Sequence, residues 1–123
     1  MSSIERRLSG GVVVVDLQDL PAVTPPSTRS ARSVVKNGTL RATLVSIAPG
    51  GEIPEHHADG PITVQPLQGR IRFTALGEAH DIGPGQLLAL GAGVPHGVAS
   101  ASGATFLLTV AWVEASANPP RFQ

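Results

Sequence analysis

The chain has 123 residues, of which 41% are hydrophobic and 15% are charged, a composition typical of one globular domain. Nine basic residues balance nine acidic ones, so the chain lacks the positive charge with which proteins bind nucleic acids or anionic membranes. Cysteine is absent, which excludes disulfides and thiolate-based zinc sites or catalysis. The longest apolar run near the start, residues 12–15, is too short for a membrane span or a signal peptide, and we therefore expect a cytoplasmic protein.

Short runs rich in valine, isoleucine, leucine and threonine make up most of the sequence, and glycines and prolines separate them. No long segment has the apolar period of about 3.6 residues that marks a helix. Several runs alternate instead, as Ile71 and Phe73 do against Arg70 and Arg72, which is typical of an antiparallel sheet with one buried face. The predicted strands, in chain order, are residues 11–17, 33–36, 40–47, 62–67, 71–76, 86–90, 94–100 and 105–113.

In the third of these strands, an apolar set alternates with Arg41 and Thr43, and the pattern predicts that this set faces the core. The set is Leu40, Ala42, Leu44 and Ile47. So many short strands with glycine turns predict an all-β sandwich, jelly roll or barrel.

Prolines divide the chain at its N-terminal end. Pro21, Pro25 and Pro26 predict an extended arm over residues 20–32, because proline cannot donate to a strand ladder. We therefore expect three segments: residues 1–32 as an N-terminal strand with a proline-rich arm, residues 33–115 as the barrel, and residues 116–123 as a C-terminal tail.

Two stretches carry a resemblance. In "PGGEIPEHHADGPITVQPLQG", residues 49–69, Gly50 is followed by five residues and His56, and Gly69 closes the stretch. In "GQLLALGAGVPHGVAS", residues 85–100, His96 follows a glycine-rich turn. These stretches resemble the two motifs of the cupin superfamily. The resemblance implies a single-domain, all-β jelly-roll β-barrel of the RmlC-like kind, and a homodimer.

The resemblance also implies a metal site, of which only half is present. Four positions of the motifs usually bind the metal, and in this sequence they are occupied by His56, Ala58, Ile62 and His96. Alanine and isoleucine have no electron pair to donate. The implied cofactor is a divalent transition metal (Zn, Fe, Mn or Ni), which His56 and His96 would hold as a reduced ligand set.

A third ligand is needed, since a catalytic metal typically has three protein ligands and an open position. His57 is the first candidate. It points to the opposite face from His56 in a regular strand, but a bulge near Pro54 would redirect it. An alternative register that starts from Gly51 makes His57 and Asp59 the ligands. The other candidates are Gln65 and Glu52.

The remaining interior is mostly aliphatic and suits a small molecule; we predict that its pocket is lined by Ile62, Val64, Gln65 and Phe73. The sequence contains no serine-hydrolase elbow or phosphate-binding loop. Two functions stay open: a metal-dependent enzyme of unassigned reaction, and a metal-free module that binds or senses a small ligand. A third possible function is that of a structural dimer without a ligand. In the metal-free cases, His56 and His96 are hydrogen-bonded polar residues of the barrel.

Overall fold

Nine β-strands form the part of the chain that the structure, a computed structural model, describes, which is residues 11–112. The strands are β1 (Arg29–Asn37), β2 (Leu40–Ile47), β3 (Glu52–His56), β4 (Ile62–Gly69), β5 (Ile71–Ala75), β6 (Glu78–Ile82), β7 (Leu88–Leu90), β8 (His96–Ala99) and β9 (Ala104–Ala111). No helix occurs in that range, and hence none that could cross a membrane. The first ten residues of the predicted N-terminal segment and the predicted tail, residues 116–123, lie outside the described residues, as does Val113 of the last predicted strand.

Two antiparallel sheets build the barrel. The five-stranded sheet has the order β1-β2-β9-β4-β7 and the four-stranded sheet has the order β3-β8-β5-β6. Consecutive strands such as β2, β3 and β4 alternate between the sheets, and β9 returns to lie between β2 and β4. This alternation between two sheets is the jelly-roll arrangement, and it confirms the predicted all-β fold.

The main core lies between the two sheets. Val45 of β2, Phe106 of β9 and Val64 of β4 face it from the five-stranded sheet, while Phe73 and Val98 face it from β5 and β8. Phe73 and Val64 are each 1% exposed. The interior is therefore closed to solvent at its centre.

A second apolar cluster covers the outer face of the five-stranded sheet. Leu44 and Ala42 of β2 belong to it, and Val15 and Leu17 of the N-terminal segment pack against it. The predicted orientation of β2 is therefore wrong for Ala42 and Leu44, which face outward, whereas Ile47 belongs to the main core as predicted. Arg41 lies on the face of Val45 toward the barrel. The pattern misled because this strand buries apolar side chains on both faces.

The N-terminal part differs from the prediction in two ways. Residues 11–17 form no strand, and two of them, Val15 and Leu17, pack on the outer face of the five-stranded sheet. The arm ends earlier than predicted, since Arg29–Arg32 already pair with β2 from Ile47 to Leu44.

Sequence reasoning also missed β3 and β6. Both strands form an outer edge of the four-stranded sheet, and most of their side chains are exposed. Strands of this kind lack the alternation that marks a half-buried strand.

One end of the barrel, here called the mouth, is formed by the loop that follows β3, residues 57–61, and the loop that precedes β8, residues 91–95. The backbone N–H of Gly93 donates to the carbonyl oxygen of Ala58 at 2.9 Å and joins the two loops. Gly60 packs directly on the end of β9, where a β-carbon would collide with the carbonyl oxygen of Ala111. The loop therefore requires glycine at this position.

Candidate functional site

His56 and His96 meet at the mouth of the barrel. His56 is the last residue of β3 and His96 is the first of β8, and the two are direct partners in the ladder between these strands. Their ring centroids are 4.4 Å apart, with the ring planes tilted by 59°. A register shift between Ile53 and His56 accompanies this pairing, so the irregularity near Pro54 is present in β3.

Each of the two imidazoles is held by a backbone carbonyl two residues earlier in the chain. His56 Nδ1 lies 2.9 Å from the carbonyl oxygen of Pro54, and His96 Nδ1 lies 2.9 Å from that of Val94. A carbonyl can only accept, so in the neutral ring Nδ1 carries the proton and Nε2 keeps its lone pair. A neutral imidazole with one nitrogen tied to a carbonyl is the form in which histidine commonly binds a metal.

The two rings differ in their exposure. His96 is 5% exposed and stacks on Phe73, with ring centroids 5.1 Å apart and an interplanar angle of 12°, whereas His56 is exposed. Burial lowers the pKa of His96, the positive charges that His56 and His57 can carry lower it further, and the hydrogen bond to Val94 opposes the shift. His96 is therefore neutral over a wider pH range than a free histidine, which favours metal coordination.

The other two motif positions supply no ligand. Ala58 and Ile62 pack against or within the main core cluster. His57 and Asp59 are exposed on the loop after β3. Among residues 11–112, no group of three histidine, cysteine, aspartate or glutamate side chains is arranged to hold a metal. The structure thus brings His56 and His96 together. His57 does not join them to form a group of three potential ligands.

Three of the four predicted pocket residues lie inside the barrel. Ile62, Val64 and Phe73 are 4%, 1% and 1% exposed and belong to the main core cluster. Gln65 is exposed and lies on the opposite face of β4, because successive side chains of a strand alternate. The structure does not place Gln65 with the other three.

Sequence reasoning overlooked Arg41 and Trp112 at the mouth. The Arg41 guanidinium lies 4.9 Å from the centroid of the Trp112 ring. Arg41 pairs with Val110, and Val110 pairs with Ile62, so these three form one row across the five-stranded sheet. The sequence does contain a signal for Arg41, because Arg41 and Val45 are an even number of residues apart and so share a face of β2. The more numerous apolar residues on the other face led to the opposite prediction.

Comparison with known proteins agrees with this architecture. A family model described as a cupin domain matches residues 43–112. The chain belongs to the cupin family. No curated protein matches it.

Solved structures similar to this chain include a conserved protein of unknown function from Streptococcus pyogenes, 28% identical, with a TM-score of 0.73 over 93% of this chain and 95% of that one. A protein from Thermus thermophilus is 26% identical, with a TM-score of 0.70 over 81% of this chain and 98% of that one. The salicylate 1,2-dioxygenase of Pseudoaminobacter salicylatoxidans, solved with gentisate, is 16% identical, with a TM-score of 0.66 over 73% of this chain and 26% of its own. At that identity the likeness concerns the fold alone.

Proposed function

We propose that this protein binds one divalent transition metal through His56 and His96 at the mouth of the barrel, and a small molecule beside it. The observation that carries the proposal is the pair of rings 4.4 Å apart, each with Nδ1 on a backbone carbonyl. This arrangement leaves both Nε2 atoms to donate, and imidazole is a favourable ligand for zinc, iron and nickel. Water or the small molecule completes the coordination.

The small molecule lies at the mouth, above the buried residues Ile62 and Phe73. Their side chains are closed to solvent, so they form the floor of the site. Partly buried aliphatic residues that pack against the core supply its walls, among them Leu90, Val94 and Val110. Such a lining favours a ligand with an apolar body.

The second candidate function is a metal-free module that binds a small ligand. Ala58 and Ile62 favour it, because they replace two donors by apolar groups that pack into the core. In that case, no metal is bound, and the two histidines orient the ligand by direct hydrogen bonds.

Zinc titration of chelator-treated protein without a histidine tag separates the two functions. We expect one zinc per chain for the wild type and an affinity lower by at least about tenfold for His56→Ala, because even the loss of an outer-shell partner costs that much. His56 is exposed, so its replacement leaves the core intact. His80→Ala, another exposed histidine, is the matched control and keeps the wild-type affinity.

The same titration of His57→Ala shows whether His57 is the third ligand, in which case its affinity falls as that of His56→Ala does. Zinc binding that is equally tight in the wild type and in His56→Ala would rule out the metal proposal and favour the metal-free module.

We also propose a homodimer that forms through the outer face of the five-stranded sheet. An apolar cavity of about 470 Å³ lies on this face and is lined by Thr63, Ala89 and Thr109 among others. In the N-terminal segment over the same sheet, Val12 and Val14 are 90% and 86% exposed. Exposed apolar surface of this kind marks interfaces between proteins.

A further inference from the structure

Arg41 places a permanent positive charge in the mouth of the barrel. It lies on the inner face of β2, in the row that continues through Val110 to Ile62 and Leu90. Every other member of this row belongs to or packs against the main core cluster. A guanidinium at the end of an aliphatic row has no role in packing that an apolar side chain could not fill.

The surroundings of the guanidinium leave one of its donors without an acceptor. Arg41 Nε is shielded from solvent, and no residue among 11–112 accepts a hydrogen bond from it. Trp112 covers one face of the group. No salt bridge of Arg41 forms within the described part of the chain, where Arg32 and Arg72 both pair with aspartates. A buried donor on a charged group is costly unless an acceptor, best an anion, reaches it.

We propose that Arg41 binds the carboxylate of a small ligand whose aliphatic body extends across the mouth toward His96. The inference rests on the proposed function, because both place the small molecule at the mouth of the barrel. The planar guanidinium matches a carboxylate with two parallel hydrogen bonds. The two sheets of such a barrel are about 10 Å apart, so a body of a few carbons spans from β2 to β8.

The walls of the mouth select a carboxylate over a phosphate. Val110, Ile62 and Leu90 supply apolar contacts and no hydrogen-bond donors from their side chains. One guanidinium balances the single charge of a carboxylate, whereas a phosphate dianion needs more positive charge or more donors than this row offers. The ligand class is therefore a small aliphatic monocarboxylate.

Trp112 provides a direct readout, because it is the only tryptophan of the chain and it contacts Arg41. The probes are hexanoate and its uncharged analogue hexanamide, titrated into chelator-treated protein and followed by tryptophan fluorescence and calorimetry. We expect saturable binding of hexanoate and at least about tenfold weaker binding of hexanamide, equivalent to about 1.4 kcal/mol.

Arg41→Gln is expected to weaken hexanoate binding by at least about tenfold. Arg41→Lys keeps the charge but loses the planar fork, so we expect its affinity for hexanoate to lie between those of the wild type and Arg41→Gln. Arg70→Gln is the control, because Arg70 lies before β5 at the end of the barrel opposite the mouth; it leaves binding unchanged. Should Arg41→Gln fail to fold, the comparison of hexanoate with hexanamide on the wild type decides alone.

Four results with the wild type and Arg41→Gln would overturn the inference: equal binding of the two probes, hexanoate binding that Arg41→Gln does not weaken, inorganic phosphate binding as tightly as hexanoate, and hexanoate binding only after zinc is added. Glu114 lies outside the described residues, two positions after Trp112. Hexanoate binding that appears only in Glu114→Gln would assign Arg41 to that carboxylate and also overturn the inference. The probes are tested without metal, so a failure of hexanoate to bind does not affect the result of the zinc titration of His56→Ala. A failure of the zinc titration likewise does not affect the hexanoate test.

Discussion

At the scale of single residues, the site depends on one histidine that is buried and one that is exposed. His96 is 5% exposed and stacked on Phe73, so its position is set by the core, whereas His56 is exposed and is fixed by its hydrogen bond to Pro54. A buried partner and a solvent-exposed one suit a site that accepts a metal or a ligand between them. The two imidazoles thus have different roles despite their pairing.

The buried histidine makes the stability of the metal-free protein depend on pH. The pKa of His96 is lowered in the folded state, first by burial. The unfolded chain therefore binds a proton at this residue near its ordinary pKa of 6.5, and the folded protein binds it only at a lower pH. The free energy of unfolding therefore decreases as the pH falls from above the ordinary pKa toward the lowered one.

We expect the free energy of unfolding, measured by urea titration of chelator-treated protein, to fall between about pH 7.5 and about pH 5.5. The fall is smaller in His96→Gln, which cannot titrate. His80→Gln removes a histidine that is exposed and keeps the wild-type pH dependence. An identical fall in His96→Gln and the wild type would show that other groups cause it.

At the scale of elements, the hairpin between β5 and β6 carries local strain at the edge of the mouth. Leu76 and Gly77 form its two-residue turn with φ of 52° and 77°. Turns with two positive φ values suit the twist of hairpins and favour Asn-Gly. A leucine in this backbone conformation is unfavourable, and its side chain is 80% exposed.

Leu76→Asn is accordingly expected to stabilise the protein by about 1 kcal/mol, because asparagine tolerates the left-handed conformation. Urea unfolding at neutral pH measures the change. Leu87→Asn is the matched control, since Leu87 is also exposed, at 64%, but does not have a positive φ. No gain in Leu76→Asn would mean that the exposed leucine makes stabilising contacts that offset the strain.

The elements also show which parts of the fold the sequence makes predictable. β4 and β5 alternate between buried and exposed side chains, and their predicted positions agree with the structure. The alternation of β2 is equally clear, but both of its faces are buried, so the pattern could not tell which face Arg41 is on. The positions of His56 and His96 could be predicted from motif spacing, whereas Arg41 and Trp112 meet through pairing of β2 with β9, which no local pattern encodes.

At the scale of the whole molecule, the two sheets face different surroundings. The four-stranded sheet carries charged pairs on its outer face, such as Arg72 with Asp81 at 3.0 Å. The outer face of the five-stranded sheet carries an apolar cavity beside the cluster that the N-terminal segment covers. This asymmetry supports the proposal that subunits associate through the five-stranded sheet.

Ala89→Lys is expected to weaken the proposed dimer strongly, because it places a lysine from each subunit in the apolar cavity, where charge is unfavourable. Sedimentation velocity over a dilution series measures the effect. Ala79→Lys introduces the same change on β6 of the other sheet and leaves association unaltered. A wild type that sediments as a monomer at all concentrations would contradict the proposed dimer.

The hydrogen bond from Gly93 to Ala58 connects two segments that are far apart in sequence but adjacent to the two imidazoles. Its acceptor is a main-chain oxygen, so the hydrogen bond does not use the side chain of residue 58. A substitution that introduces a metal-donating side chain at residue 58 would therefore leave this acceptor in place. The link between the two loops and the chemistry of the side chain at position 58 are thus set by different atoms.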